Sequence, residues 1–122
     1  MSNKVIVVDD SSTARQQVIE ALRGAGYEII EAGDGHEGVH QVGAHPDAKM
    51  VLCDVNMPGM NGLEMLKAVK GDGQNPGMKF LMITTEAQPA LVREAKQGGA
   101  SGWIIKPFKP DLLLAAVRKL VG

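Results

Sequence analysis

The chain has one cysteine, Cys53, in 122 residues, so it forms no disulfide within itself. That suits a reducing compartment. Aromatic residues make up only 3% of it, with a single tryptophan, which leaves little platform for stacking bases. Neither sign of charge is in excess: 13 basic residues against 14 acidic ones leave a formal net charge of -1. Nothing in that balance calls for nucleic acid or an anionic membrane. No apolar run approaches the roughly 20 residues that span a bilayer. The N-terminus enters Lys4-Val-Ile-Val-Val-Asp9 at once, without the basic start, apolar stretch and small-residue cleavage site of a signal peptide. These absences point to a cytoplasmic protein with no membrane insertion and no nucleic-acid partner.

What is present is ordinary globular material. Hydrophobic residues are 44% and charged residues 22% of the chain, and the length suits one domain over residues 1–122. Short β-branched runs at 4–8, 28–31, 49–53, 79–84 and 102–106 alternate with helical patterns at 12–25, 35–44, 62–71, 88–99 and 110–121. The first, third and fourth strand runs are almost continuously apolar, as parallel strands covered on both faces should be. In the first helix Val18, Ala21, Leu22 and Ala25 repeat at three- and four-residue spacing, with Ser11 or Ser12 able to cap its start. In the last, Pro110 opens the helix and Leu113, Ala116, Val117 and Leu120 form the apolar stripe. Five β-then-α units with right-handed crossovers predict an α/β fold, a doubly wound five-stranded parallel sheet with five helices. Residues 71–78 are the most flexible-looking loop.

In such sheets ligands collect at the carboxyl edge, where strands end and loops begin. Asp9 and Asp10 end the first strand run and Asp54 the third; if those strands are neighbours, three carboxylates share one crevice. Two unit charges ~4 Å apart repel by about 4 kcal/mol at an effective dielectric near 20. A bound cation offsets that cost, and all-oxygen ligation with room for water suits Mg²⁺ or Mn²⁺. The plainer alternative is a set of exposed strand-end acids that cap helices, which Asp10 before Ser11-Ser12 could do. Thr84 and Lys106 end the next two strand runs with a hydroxyl and an ammonium. Alone, each is an unremarkable strand threonine or solvated lysine. Together with a metal and a nucleophilic carboxylate they are the parts of a phosphoryl-transfer site.

At these residues the sequence resembles the response regulator receiver family, in its single-domain chemotaxis form. The resemblance is carried by Val7-Val8-Asp9-Asp10-Ser11, by Asp54-Val55-Asn56-Met57-Pro58-Gly59, by Thr84-Thr85-Glu86-Ala87 and by Ser101-Gly102-Trp103-Ile104-Ile105-Lys106-Pro107-Phe108. It implies the flavodoxin-like strand order 2-1-3-4-5. It implies that Asp54 accepts a phosphoryl group from a histidine kinase in a Mg²⁺-dependent reaction. Asp10, Asp54 and the Asn56 backbone carbonyl would then bind the metal directly, and Asp9 largely through water. Thr84 and Lys106 would hold phosphoryl oxygens, a cis peptide bond would precede Pro107, and Asn56 and Glu86 would tune the lifetime of the phosphorylated state. Thr84 and the aromatic on the fifth strand form the switch in this family, and here that aromatic is Trp103, larger than the usual Tyr, Phe or His.

Other candidates are weaker. His36 and His40 stand four apart on the second helix, but no third ligand is evident. Cys53 is expected in the core, pointing away from the crevice, and Met50, Met65, Met78 and Met82 as filling. Basic residues Arg93, Lys96, Lys109, Arg118 and Lys119 gather late in the chain, around the face of helix 4, strand 5 and helix 5 that is the family's usual output surface. An acidic protein partner would fit there, such as a flagellar motor switch; the same residues also suit a plain solvated surface. The expected function is a phosphorylation-activated two-component switch with no turnover of a separate substrate. A phosphorelay intermediate or phosphate sink is the alternative. A haloacid-dehalogenase-type phosphatase is disfavoured, since Asn56 stands where its second Asp belongs. A nucleotide-binding flavodoxin-like module is disfavoured too, because no glycine-rich phosphate loop follows the first strand.

Overall fold

The structure, a computed structural model, describes residues 3–72 and 77–121. Among these residues five strands, β1 (Lys4–Val8), β2 (Glu28–Ala32), β3 (Met50–Cys53), β4 (Lys79–Thr84) and β5 (Gly102–Ile105), alternate with five helices. The helices are α1 (Ser12–Leu22), α2 (Gly35–Ala44), α3 (Gly62–Asp72), α4 (Pro89–Gln97) and α5 (Pro110–Val121). All strand pairs are parallel and the order is β2-β1-β3-β4-β5, the doubly wound arrangement expected from the sequence.

The period-2 alternation of the central strands divides the core in two. Ile6, Val8, Val51, Cys53, Phe80 and Met82 face one side, together with Met65 and Leu66 of α3 and Ala95 of α4. Val5, Val7, Met50, Leu52, Leu81 and Ile83 face the other, against Val18 and Leu22 of α1 and Leu113 and Val117 of α5. Both faces of β1, β3 and β4 are therefore dry, which is why their sequences read as unbroken apolar runs. The edge strands differ: β2 exposes Glu28 and Glu31, and β5 is only partly buried until Ile105, which is exposed. Met50, Met65, Met78 and Met82 are all buried filling.

Side-chain caps set where the helices begin. Ser11 Oγ accepts from the Ala14 amide at 3.1 Å and Asp34 from Glu37 at 2.8 Å. Asn61 and Glu64 form a reciprocal capping box, each side chain accepting the other's amide at 2.9 and 3.0 Å. Helix ends depart from the sequence reading. The first helix stops at Leu22, so Ala25 lies outside it, because Gly24 turns left-handed at φ 81° just beyond the Arg23 cap. The fourth is shorter at both ends than 88–99, β3 begins at Met50, and β5 stops one residue before Lys106. Of the loop expected at 71–78, residues 71 and 72 complete α3, and 73–76 lie outside the described residues.

Candidate functional site

The strand order brings the chain's polar strand ends to one edge. Val8 and Cys53 are paired in register, so the next residues, Asp9 and Asp54, emerge side by side, and the Asp54 amide donates to the Val8 carbonyl at 3.1 Å. Thr84 ends β4, and the Lys106 amide just after β5 donates to the Thr84 carbonyl at 2.8 Å. Gly62 makes this packing of the following loop feasible. A Cβ there would run into the Asp54 carbonyl oxygen, so any side chain would displace the Asp54 main chain.

Asp9, Asp10 and Asp54 each present a carboxylate oxygen within 4.8 Å of the others. Asp9 is buried, Asp54 half-buried and Asp10 exposed. Lys106 Nζ donates to Asp9 Oδ2 at 2.7 Å and to Asp54 Oδ2 at 3.1 Å, neutralising part of the acidic charge. Burial works against the ammonium, but the hydrogen bonds to Asp9 and Asp54 and the charges of both carboxylates outweigh it, holding the Lys106 pKa above the ordinary lysine value. The second oxygen of Asp54 accepts from the Asn56 amide at 3.1 Å. The peptide bond between Lys106 and Pro107 is cis.

A second network surrounds Glu86. Its amide donates to the buried Thr84 Oγ1 at 3.2 Å. Its carboxylate accepts from Asn56 Nδ2 at 3.2 Å, and its carbonyl accepts from Trp103 Nε1 at 2.9 Å. The indole is half-buried and packs against the core that Met65 and Leu66 of α3 and Ala95 of α4 also face. Cys53 points into that same core, with Sγ 3.8 Å from Met65 Sδ. Burial first, then the charges of Asp54 and Asp9, pushes its thiol far above the usual range. His36 and His40 are exposed on α2, and among the described residues the three acids are the sole group of three or more side chains placed to share a metal.

The sequence reading missed one residue at this edge. Arg15, a turn into α1, donates from Nη1 to the Asp9 carbonyl and from Nε to Glu31 Oε1 at 3.0 Å. Its position in the helical pattern marks it only as a polar residue; nothing in composition announces a bond to main chain.

Three carboxylates with mutually close oxygens and no nitrogen or sulfur donor among them fit a small hard divalent cation that keeps several waters.

A parallel sheet of this order, with acids at the ends of β1 and β3, a threonine on β4 and a lysine after β5, defines a receiver domain. The family model for the response regulator receiver domain matches residues 5–118, and the chain belongs to that family. Within it the chain is of the chemotaxis type. It is 39% identical over 120 residues to chemotaxis protein CheY1 of Helicobacter pylori, covering 98% of this chain and 97% of that one. It is 34% identical over 118 residues to chemotaxis protein CheY of Pseudomonas aeruginosa, covering 96% of this chain and 94% of that protein. Chemotaxis protein CheY4 of Vibrio cholerae superposes with a TM-score of 0.90 at 40% identity, over 98% of this chain and 99% of that structure. Members of this family are signalling switches of two-component systems rather than metabolic enzymes. Among the described residues no helix is long and apolar enough to cross a membrane.

Proposed function

We propose that this protein is a cytoplasmic single-domain regulator, activated when Asp54 takes a phosphoryl group from a histidine kinase in the presence of Mg²⁺. The observation that carries the reading is the position of Asp54 just after β3, the strand paired with the one Thr84 ends, with the Lys106 ammonium bridging its Oδ2 at 3.1 Å and Asp9 Oδ2 at 2.7 Å. In the transfer, an Asp54 oxygen forms a bond to phosphorus as the bond to the donor imidazole nitrogen breaks, and the imidazole leaves. Lys106 exchanges its contact with Asp54 for one with a phosphoryl oxygen, and the Thr84 hydroxyl donates to another. Asp10, Asp54 and the Asn56 carbonyl would hold Mg²⁺, with Asp9 acting largely through water; Mn²⁺ fits the same oxygens. Bound there, the metal supplies positive charge that offsets the acids and the incoming phosphoryl group. Asn56 and Glu86, bonded side chain to side chain beside Asp54, would set how readily water reaches the phosphorylated aspartate.

The output would be a protein partner docked on the face of α4, β5 and α5. There the large apolar side chains of Ile105 and Leu112 are 43% and 64% exposed, flanked by exposed Arg93, Lys96 and Lys109. This combination suits an acidic partner with apolar anchors. The chemotaxis relatives make the flagellar motor switch the leading candidate. Phosphotransfer from an autophosphorylated histidine kinase is the test. The label should move to this protein with Mg²⁺ and stay on the kinase with the metal chelated. Transfer that is indifferent to chelation would contradict the metal-dependent part of the reading.

A further inference from the structure

We propose that Arg15 is a positioning residue for the acidic pair Asp9–Asp10, holding the β1–α1 turn in the shape that gives the cluster its affinity for a divalent cation; the inference rests on the metal-binding reading above. Asp9 is held by every polar group it has. Its amide donates to the Ala32 carbonyl at 3.1 Å, Oδ1 accepts from the Ser11 amide at 2.9 Å, Oδ2 accepts from Lys106, and its carbonyl accepts from Arg15. The last of these bonds reaches Asp10. The Asp9 carbonyl and the Asp10 amide lie in one rigid peptide plane, so fixing the oxygen fixes the plane from which Asp10 projects. Asp10 is exposed, and the orientation of that plane is how a partly buried contact governs an exposed carboxylate.

The guanidinium suits this task in two ways. Its planar fork donates in two directions at once, to the Asp9 carbonyl and to Glu31 near the end of β2, tying α1 and β2 to the turn between β1 and α1. Glu31 also offsets its charge, so the cation of Arg15 does not simply repel a metal a few residues away. A lysine has the charge but not the fork, and a single ammonium does not reproduce both bonds with the same geometry.

Charge and positioning predict opposite signs. If Arg15 acted only as a nearby positive charge, Arg15→Ala would relieve repulsion and tighten Mg²⁺ binding. If it positions the turn, Arg15→Ala should raise the Mg²⁺ Kd about tenfold, the low end of what losing a partner behind a metal ligand costs. Arg15→Lys should weaken binding in the same direction although the charge is kept. The experiment is Mg²⁺ titration of the full chain and of both variants, followed by amide chemical shifts. Hydrogen exchange of the Ser11 amide, which bonds Asp9 Oδ1, is measured alongside without metal; it should speed up in both variants while β3 and β4 amides stay protected. Mg²⁺ affinity unchanged or tightened in both variants, in a chain that binds Mg²⁺ normally, would overturn the role of Arg15 alone. Unaltered chain that binds no Mg²⁺ would instead overturn the metal reading beneath it.

Discussion

Trp103 Nε1 donates to the carbonyl of Glu86 at 2.9 Å, tying the fifth strand to the loop that follows the fourth. The amide of the same Glu86 donates to Thr84 Oγ1 at 3.2 Å. One residue therefore joins the hydroxyl expected to meet a phosphoryl group and the only indole in the chain. A shift of Thr84 toward Asp54 pulls on this loop, and the loop carries the acceptor of the indole.

Trp103 should report activation without a label. Beryllofluoride with Mg²⁺, which stands in for the phosphoryl group, is expected to change its emission. Thr84→Ala should remove the change while leaving Asp54 able to accept phosphate, because the hydroxyl couples the two sites and does not form the new bond. Amide shifts confined to the loops around Asp54, with Trp103 silent, would exclude this route.

Magnesium should raise the thermal stability of the unaltered chain. In the proposed site it would bind the folded cluster and not the dispersed acids of the unfolded chain, and at a hundred times Kd such a linkage is worth about 2.7 kcal/mol. Asp10→Asn should shrink the shift while leaving the metal-free protein as stable or more so, since it removes one of three like charges within 4.8 Å. Melting curves with and without millimolar Mg²⁺ check both statements.

Removing the ammonium of Lys106 should separate stability from metal affinity. Lys106→Met strips Asp9 and Asp54 of a hydrogen-bonded cation, which should cost the metal-free protein about 2 kcal/mol. The same change leaves the acids less neutralised, so Mg²⁺ should bind more tightly, while phosphoryl uptake falls for want of the cation. Denaturant titrations and Mg²⁺ titrations on one sample show whether the two effects have opposite sign.

Cys53 should be inert despite its place beside Asp54. The side chain is buried and its thiol is held protonated, by burial and then by the two carboxylates. Alkylation by iodoacetamide at pH 8 should therefore require unfolding, with a rate that follows denaturant concentration. Rapid labelling of native protein would place the thiol outside the core.

The readable parts of this molecule were those in which side chains answer to burial. Val5 to Val8 and Met50 to Cys53 read as strands because both of their faces are covered, and the acids beyond them read as a site because parallel strand ends converge. Helix limits were less readable: Ala25 continues the apolar spacing of α1, but the backbone has already turned at Gly24. Arg15 and the Trp103–Glu86 bond were not readable at all. In both, a side chain meets a main-chain carbonyl, and a carbonyl is present at every residue, so nothing marks which one is used.

In the proposed switch, Asp54 is the aspartate that accepts the phosphoryl group. The most direct measurement is mass spectrometry of the chain after incubation with acetyl phosphate and Mg²⁺, with the modified residue located by peptide fragmentation and compared with Asp54→Asn. One phosphoryl group, labile to base and to hydroxylamine as an acyl phosphate is, should appear on Asp54 and none on the variant. A phosphoryl group on Asp9 or Asp10 in the unaltered chain, or undiminished uptake by Asp54→Asn, would contradict that role.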